Sequence, residues 1–139
     1  MKTVSPDGTV RTLWNCQDFL DAEASGGGAE DYCGSNTLAH NPVTDTLLFS
    51  MFSLETMIEI DLETGATVRY FGHTGEDAWG FDPPESAFWW QHGGHFTDTG
   101  TLLVSTKGED ASEETVLREY SLDEASQTLI EVLTLGEGE

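Results

Sequence analysis

Asp45-Thr46-Leu47-Leu48-Phe49-Ser50 and Gly100-Thr101-Leu102-Leu103-Val104-Ser105 carry one strand pattern twice, 55 residues apart. Ile60-Asp61 and Leu122-Asp123 repeat the turn that follows, 62 residues apart, and each leads through a short turn into another apolar strand. The seven-residue difference between the two spacings fits an insertion in the acidic loop Gly108–Glu114. Gly8-Thr9-Val10-Arg11 matches Ala66-Thr67-Val68-Arg69 at a spacing of 58, a third and partial copy. A chain built this way is the end of one unit, one whole unit and a second nearly whole one.

The unit itself reads as β. Helical periodicity is nearly absent. Strand-like runs rich in Val, Thr, Leu, Ile and aromatics cover Thr9–Trp14, Asn36–His40, Thr46–Phe52, Met57–Asp61, Thr67–Phe71, Phe88–His92, Thr101–Thr106, Thr115–Ser121 and Thr128–Leu133. Between them stand Pro6-Asp7-Gly8, Asn41-Pro42, Glu63-Thr64-Gly65, Asp98-Thr99-Gly100 and Asp123-Glu124-Ala125. Gly admits positive φ there, while Asp and Asn bond their own backbone. A repeat of four short antiparallel strands at this period predicts all-β structure made of β-propeller blades. The expected division is the end of one blade over 1–15, a second blade over 31–72 and a third over 86–135, all within one propeller fragment spanning 1–139. Closed propellers use about four to eight blades. The expected partners are therefore the remaining blades of a longer protein or an oligomer partner, because open sheet edges self-associate.

Charge narrows the function classes. Twenty-six acidic residues against five basic ones give a formal charge of −21. Nucleic acid is an unfavourable partner, since phosphate neutralisation needs Lys and Arg. No run approaches the roughly 20 apolar residues of a membrane span, and no leader follows Met1. The dispersed acids suit a solvated surface at high salt, with stability expected to rise with salt. The cluster Glu109-Asp110 with Glu113-Glu114 also raises Ca²⁺ binding as an alternative, although the ligand spacing of an EF-hand is lacking. Cys16 and Cys33 have no zinc spacing. Either they form a disulfide, as in an exported periplasmic or extracellular protein, or they are two separate buried thiols.

Phe88-Trp89-Trp90-Gln91-His92-Gly93-Gly94-His95 is the densest functional segment. The first strand of a blade lines the central channel, so neutral His92 is placed to act as nucleophile or general base. The alternative is a structural histidine in an aromatic core. His92 and His95 are three apart and point to opposite faces of a strand unless the glycines bend it, which makes them poor joint metal ligands. Asn36 is a candidate donor to a ligand oxygen, or simply a residue bonding its local backbone. His40 reads as an exposed turn residue, and His73 as a loop residue without a visible partner. GxSxG, GxxxxGK[ST] and HExxH are missing, so no cofactor or metal is expected.

Taken together, Asn36, the 45–50 run, Ile60-Asp61-Leu62-Glu63-Thr64-Gly65, Phe88-Trp89-Trp90-Gln91-His92 and Gly100-Thr101-Leu102-Leu103 resemble the bacterial arylsulfotransferase propellers. Trp14 with Asp18 resembles the segment just before. The resemblance covers most of the chain. It implies sulfuryl transfer from an aryl sulfate ester to a phenol, through a sulfated histidine and without a nucleotide cofactor. The family's attacking histidine falls on His92, with Asn36 as the other catalytic residue and Trp90, Gln91 and His95 as substrate contacts. The family's His-x-Asn pair falls on Gly34 and Asn36, and its anion-clamping arginine on Phe52. Arg69 and Arg118 are expected on outer strands and not as substitutes. Losing one preorganised donor costs about 10²–10³ in rate. The rival expectation is therefore a non-catalytic propeller that binds a ligand or protein at its channel mouth.

Overall fold

The computed structural model describes residues 1–19, 34–75, 77–108 and 114–136. They form all-β structure in three sheets. Strands β1 (Lys2–Val4) and β2 (Val10–Thr12) make an antiparallel hairpin, followed by a one-turn helix α1 (Cys16–Phe19). The central sheet is an antiparallel meander of β3 (Ser35–Asn41), β4 (Thr46–Met51), β5 (Thr56–Asp61) and β6 (Thr67–Gly72). A short strand β7 (Gly80–Asp82) precedes a second meander, β8 (Trp89–Phe96), β9 (Leu102–Lys107), β10 (Val116–Asp123) and β11 (Thr128–Leu135). β7 pairs in parallel with β11 and completes a five-stranded distal sheet.

The turns form for the reason their residues suggest. Asp61 accepts bonds from the amides of Glu63 and Thr64 at 3.1 and 2.7 Å and from the Thr64 hydroxyl at 2.7 Å. Asp123 does the same with the Ser126 hydroxyl at 2.8 Å and the Ala125 amide at 3.0 Å. Hydrogen bonds from the Thr64 and Ser126 hydroxyls, then from the turn amides, hold both carboxyls below the usual aspartate range. Gly65 takes φ +77, and a Cβ there would lie 1.9 Å from the Leu13 carbonyl oxygen, so the turn has no room for another residue.

The central sheet buries both faces. One face carries Ile58 and Ile60, with Phe49 and Tyr70 against them, and packs on Trp14, Cys16 and Met1. The other carries Leu48, Met57 and Phe71, and packs on Phe88, Phe96, Leu102, Val104, Tyr120 and Leu129 of the distal sheet. Each such side chain contributes about 1.5–3 kcal/mol through burial. Cys16 is disulfide-bonded, and Cys33, the only other cysteine in the sequence, lies outside the described residues.

Tyr120 is fully buried and donates its hydroxyl to the Ser86 carbonyl at 2.6 Å. Burial is the main cause that pushes its phenol well above the ordinary value. A raised phenol contributes stability that is fully present below the unfolded value of about 10 and is lost as pH climbs toward the folded value. Stability is therefore expected to fall steeply above pH of about 10. Tyr120→Phe should flatten that limb in urea titrations run across the alkaline range.

Several boundaries differ from the sequence reading. β8 does not stop at His92 but continues through Gly93-Gly94 to Phe96, because the glycines are accommodated within the sheet. β1, β7 and α1 carry no pattern of their own, and β7 exists only because β11 offers an edge. Leu47 faces Ile60 and Leu102 faces Tyr120, so the offset within β5 and β10 is 60. Five of the seven inserted residues thus precede the strand, and two lengthen β10. His73 does have partners. Its ring stacks on Trp89 at 3.7 Å between centroids, and its Nε2 lies 3.0 Å from the Phe88 carbonyl oxygen. His40 belongs to β3, where it pairs with Asp45 at 2.9 Å.

Candidate functional site

The segment that dominates the sequence forms a bulge. Trp89 faces Lys107 and Gly93 faces Ser105, so β8 carries two residues more than β9 between those pairs. Trp90 absorbs the excess with φ +50, a conformation that a bulky side chain adopts at a cost of about 1–3 kcal/mol. Bulges commonly re-aim side chains next to functional sites. Here Trp90 and His92 turn outward and Gln91 turns in.

Polar contacts fix that shape. The Thr106 hydroxyl accepts from the Trp89 amide at 2.9 Å and donates to the Trp89 carbonyl at 2.7 Å. Gln91 is fully buried, and its Nε2 donates to the carbonyls of Met51 and Thr56 in the central sheet at 3.1 and 3.2 Å. Asn36 donates Nδ2 to the Gln91 carbonyl at 2.6 Å. Gln91 therefore ties the two sheets together, with its amide nitrogen committed to backbone. Asn36 keeps a second N–H.

Outside the bulge, three rings gather. Phe52, which opens the short 3-10 turn after β4, lies 5.0 Å from His92 and 5.7 Å from Trp90 between ring centroids. His92 is exposed, and Trp90 keeps 36% of its surface accessible. Of the sequence-predicted residues, Asn36, Trp90, Gln91 and His92 come together here, with Phe52 added. Position 34 is close as well, since a Cβ on Gly34 would sit 3.4 Å from the Ser53 hydroxyl. His95 stands apart. Gly94 faces Met57 and Leu48 of the central sheet, so the next residue, His95, projects from the opposite face. No three His, Cys, Asp or Glu side chains among the described residues converge as a metal site. Glu109, Asp110 and Glu113 lie outside the described residues.

The arginines are held elsewhere. Arg11 donates to the carbonyls of Leu62 and Glu63, and Arg118 pairs with Glu131 at 2.6 Å. Arg69 pairs with buried Glu59 in its own sheet and with Glu124 across the gap to the distal sheet. It also stacks 5.2 Å over the Trp79 ring and borders a cavity of about 350 Å³ with Asn41, Thr44, Phe96, Thr101 and Glu124. That cavity lies at the Asn41 end of β3, whereas the aromatic cluster lies at its Asn36 end. Two carboxylates offset the one guanidinium there, so the cavity does not favour anions. Sequence reasoning missed this network; the only trace of it was Glu59 and Arg69 on strands with an otherwise apolar pattern.

No helix among the described residues is long and apolar enough to cross a membrane. The chain matches no protein-family model, and no curated protein matches its sequence.

Proposed function

We propose that the chain forms two stacked blades and the end of a third in a β-propeller of arylsulfotransferase-like design. In this reading Trp90, Phe52 and His92 bind an aromatic ligand at the channel mouth without sulfuryl transfer. Two four-stranded meanders support the architecture, as does the contact between their first strands, β3 and β8, through Asn36 and Gln91.

The observation that carries the functional reading is the Phe52 ring packed on His92. The resemblance puts an arginine at that position. Sulfuryl transfer develops charge on the equatorial oxygens, and hydrogen-bonding or cationic groups must already be aimed at them. Phe supplies neither, and the three arginines are engaged away from the cluster. A chain with charge −21 also repels a sulfate ester. A neutral or cationic aromatic ring fits the exposed Trp90 face better. The disulfide at Cys16 supports an exported setting.

One observation favours a second reading. His92 is exposed, and Asn36 is held on the carbonyl of the residue before it, Gln91; His92 and Asn36 are the pair that the transferase chemistry would use. A single set of measurements on the full-length protein separates the two. Phenol and 4-nitrophenol are titrated by calorimetry, and 4-nitrophenyl sulfate turnover is followed in parallel. The binding reading expects saturable binding weakened about 10-fold by Trp90→Ala, with no turnover. Turnover abolished by His92→Ala would replace it with the transferase reading.

A further inference from the structure

The two meanders present equivalent faces in different states. Thr46, Leu48 and Ser50 on β4 correspond to Thr101, just before β9, and to Leu103 and Ser105 on β9, 55 residues on. Met57 and Glu59 on β5 correspond to Leu117 and Glu119 on β10, offset by 60. Cross-strand pairing carries the correspondence onto the last strand. Phe71 lies opposite Met57 and Leu135 opposite Leu117, while Arg69 lies opposite Glu59 and Leu133 opposite Glu119. Residues directly opposed across strands share a face. In the central sheet this face is sealed by the distal sheet, and Phe71 is 0% exposed. In the distal sheet Leu135 is 52% exposed and Leu133 42%. Nothing in the described residues packs on them as the distal sheet packs on Phe71.

We propose that this outer face, carried by Leu103, Leu117, Leu133 and Leu135, is the docking surface for another β-sheet that brings a Lys or Arg side chain to Glu119. The apolar part follows from continuing the interface already formed between the two sheets. The cation follows from Glu119. Its counterpart Glu59 is fully buried, accepts from the Thr46 hydroxyl and pairs with Arg69 on the adjacent strand. Glu119 likewise accepts from the Thr101 hydroxyl, but Leu133 stands where the arginine would be. Covering an uncompensated carboxylate costs several kcal/mol, so the covering sheet must supply the base.

A second copy of this chain is a poor occupant. Isologous pairing would bury two Glu119 carboxylates in one interface between bodies of charge −21 each. The complementary face of the copy's central sheet is already covered by Trp14 and Cys16. The proposal rests on the stacking of the repeats and not on the aromatic cluster, so it stands or falls separately from ligand binding.

The test uses the full-length native protein carrying Leu133→Cys or Leu135→Cys, with Ala125→Cys in an exposed turn as control. Maleimide labelling is followed by mass spectrometry, and molar mass by light scattering. Labelling at 133 and 135 is expected about 100-fold or more slower than at 125 in a particle that is not a homodimer. Glu119→Gln is expected to lower Tm by several degrees, because the partner's cation loses its counter-charge. Labelling of 133 and 135 at the control rate would overturn the docking surface. Protection that disappears when a homodimer dissociates on dilution would overturn the choice of occupant, and an unchanged Tm in Glu119→Gln would overturn the cation.

Discussion

Glu59→Ala is expected to destabilise the protein by about 3–5 kcal/mol, among the largest effects a single polar substitution can have here. Glu59 is fully buried and holds Arg69 together with the hydroxyl of Thr46. Removing it strands a guanidinium whose remaining carboxylate partner is Glu124, with a side chain 69% exposed. An exposed, solvent-screened partner compensates little. Arg69→Met should cost a similar amount, because it leaves the carboxylate buried alone. The double substitution Glu59→Met with Arg69→Met should recover most of the loss, since apolar side chains of matching volume need no counter-charge. Urea midpoints for Glu59→Met, Arg69→Met and the double variant measure the coupling. Additive losses would show that the pair does not act as a unit.

Phe88→Ala should be equally costly, at about 3–5 kcal/mol, by loss of transfer energy plus a cavity. Phe88 has no exposed surface and lies edge-on to Phe81 at 5.2 Å and Tyr120 at 6.4 Å, at the centre of the layer between the two sheets. A binding consequence should accompany the stability loss. The bulge that aims Trp90 and His92 begins one residue later, so a loosened Phe88 removes its anchor, and phenol affinity should fall along with the urea midpoint. A loss below about 1 kcal/mol would mean that the neighbouring rings close over the vacancy.

The candidate site was partly legible in the residues. Trp90, Gln91 and His92 announced themselves by composition, and the resemblance linked positions 34, 36, 52 and 92 before any geometry was known. Gln91 was legible as a special residue but not as a buried tie between sheets, because its acceptors are backbone carbonyls of Met51 and Thr56, which any sequence would offer. His95 looked like a companion of His92 along the chain. Beyond the bulge it lies opposite Leu103 on β9, whereas His92 packs on Phe52.

By itself the sequence determined the strand pattern, the two copies of the unit and the turns. Each of these rests on interactions within a few residues: alternation of apolar side chains, Asp61 and Asp123 bonding their own turns, and the space for Gly65. Tertiary structure alone decided the parallel strand β7, the Arg69 bridge from Glu59 to Glu124, and the Trp90 bulge with Phe52 against His92. It also decided that Phe71 is sealed while Leu135, its counterpart, is open. These depend on which face of one sheet meets which face of the next, a relation between residues some 35 to 60 positions apart that no local pattern encodes.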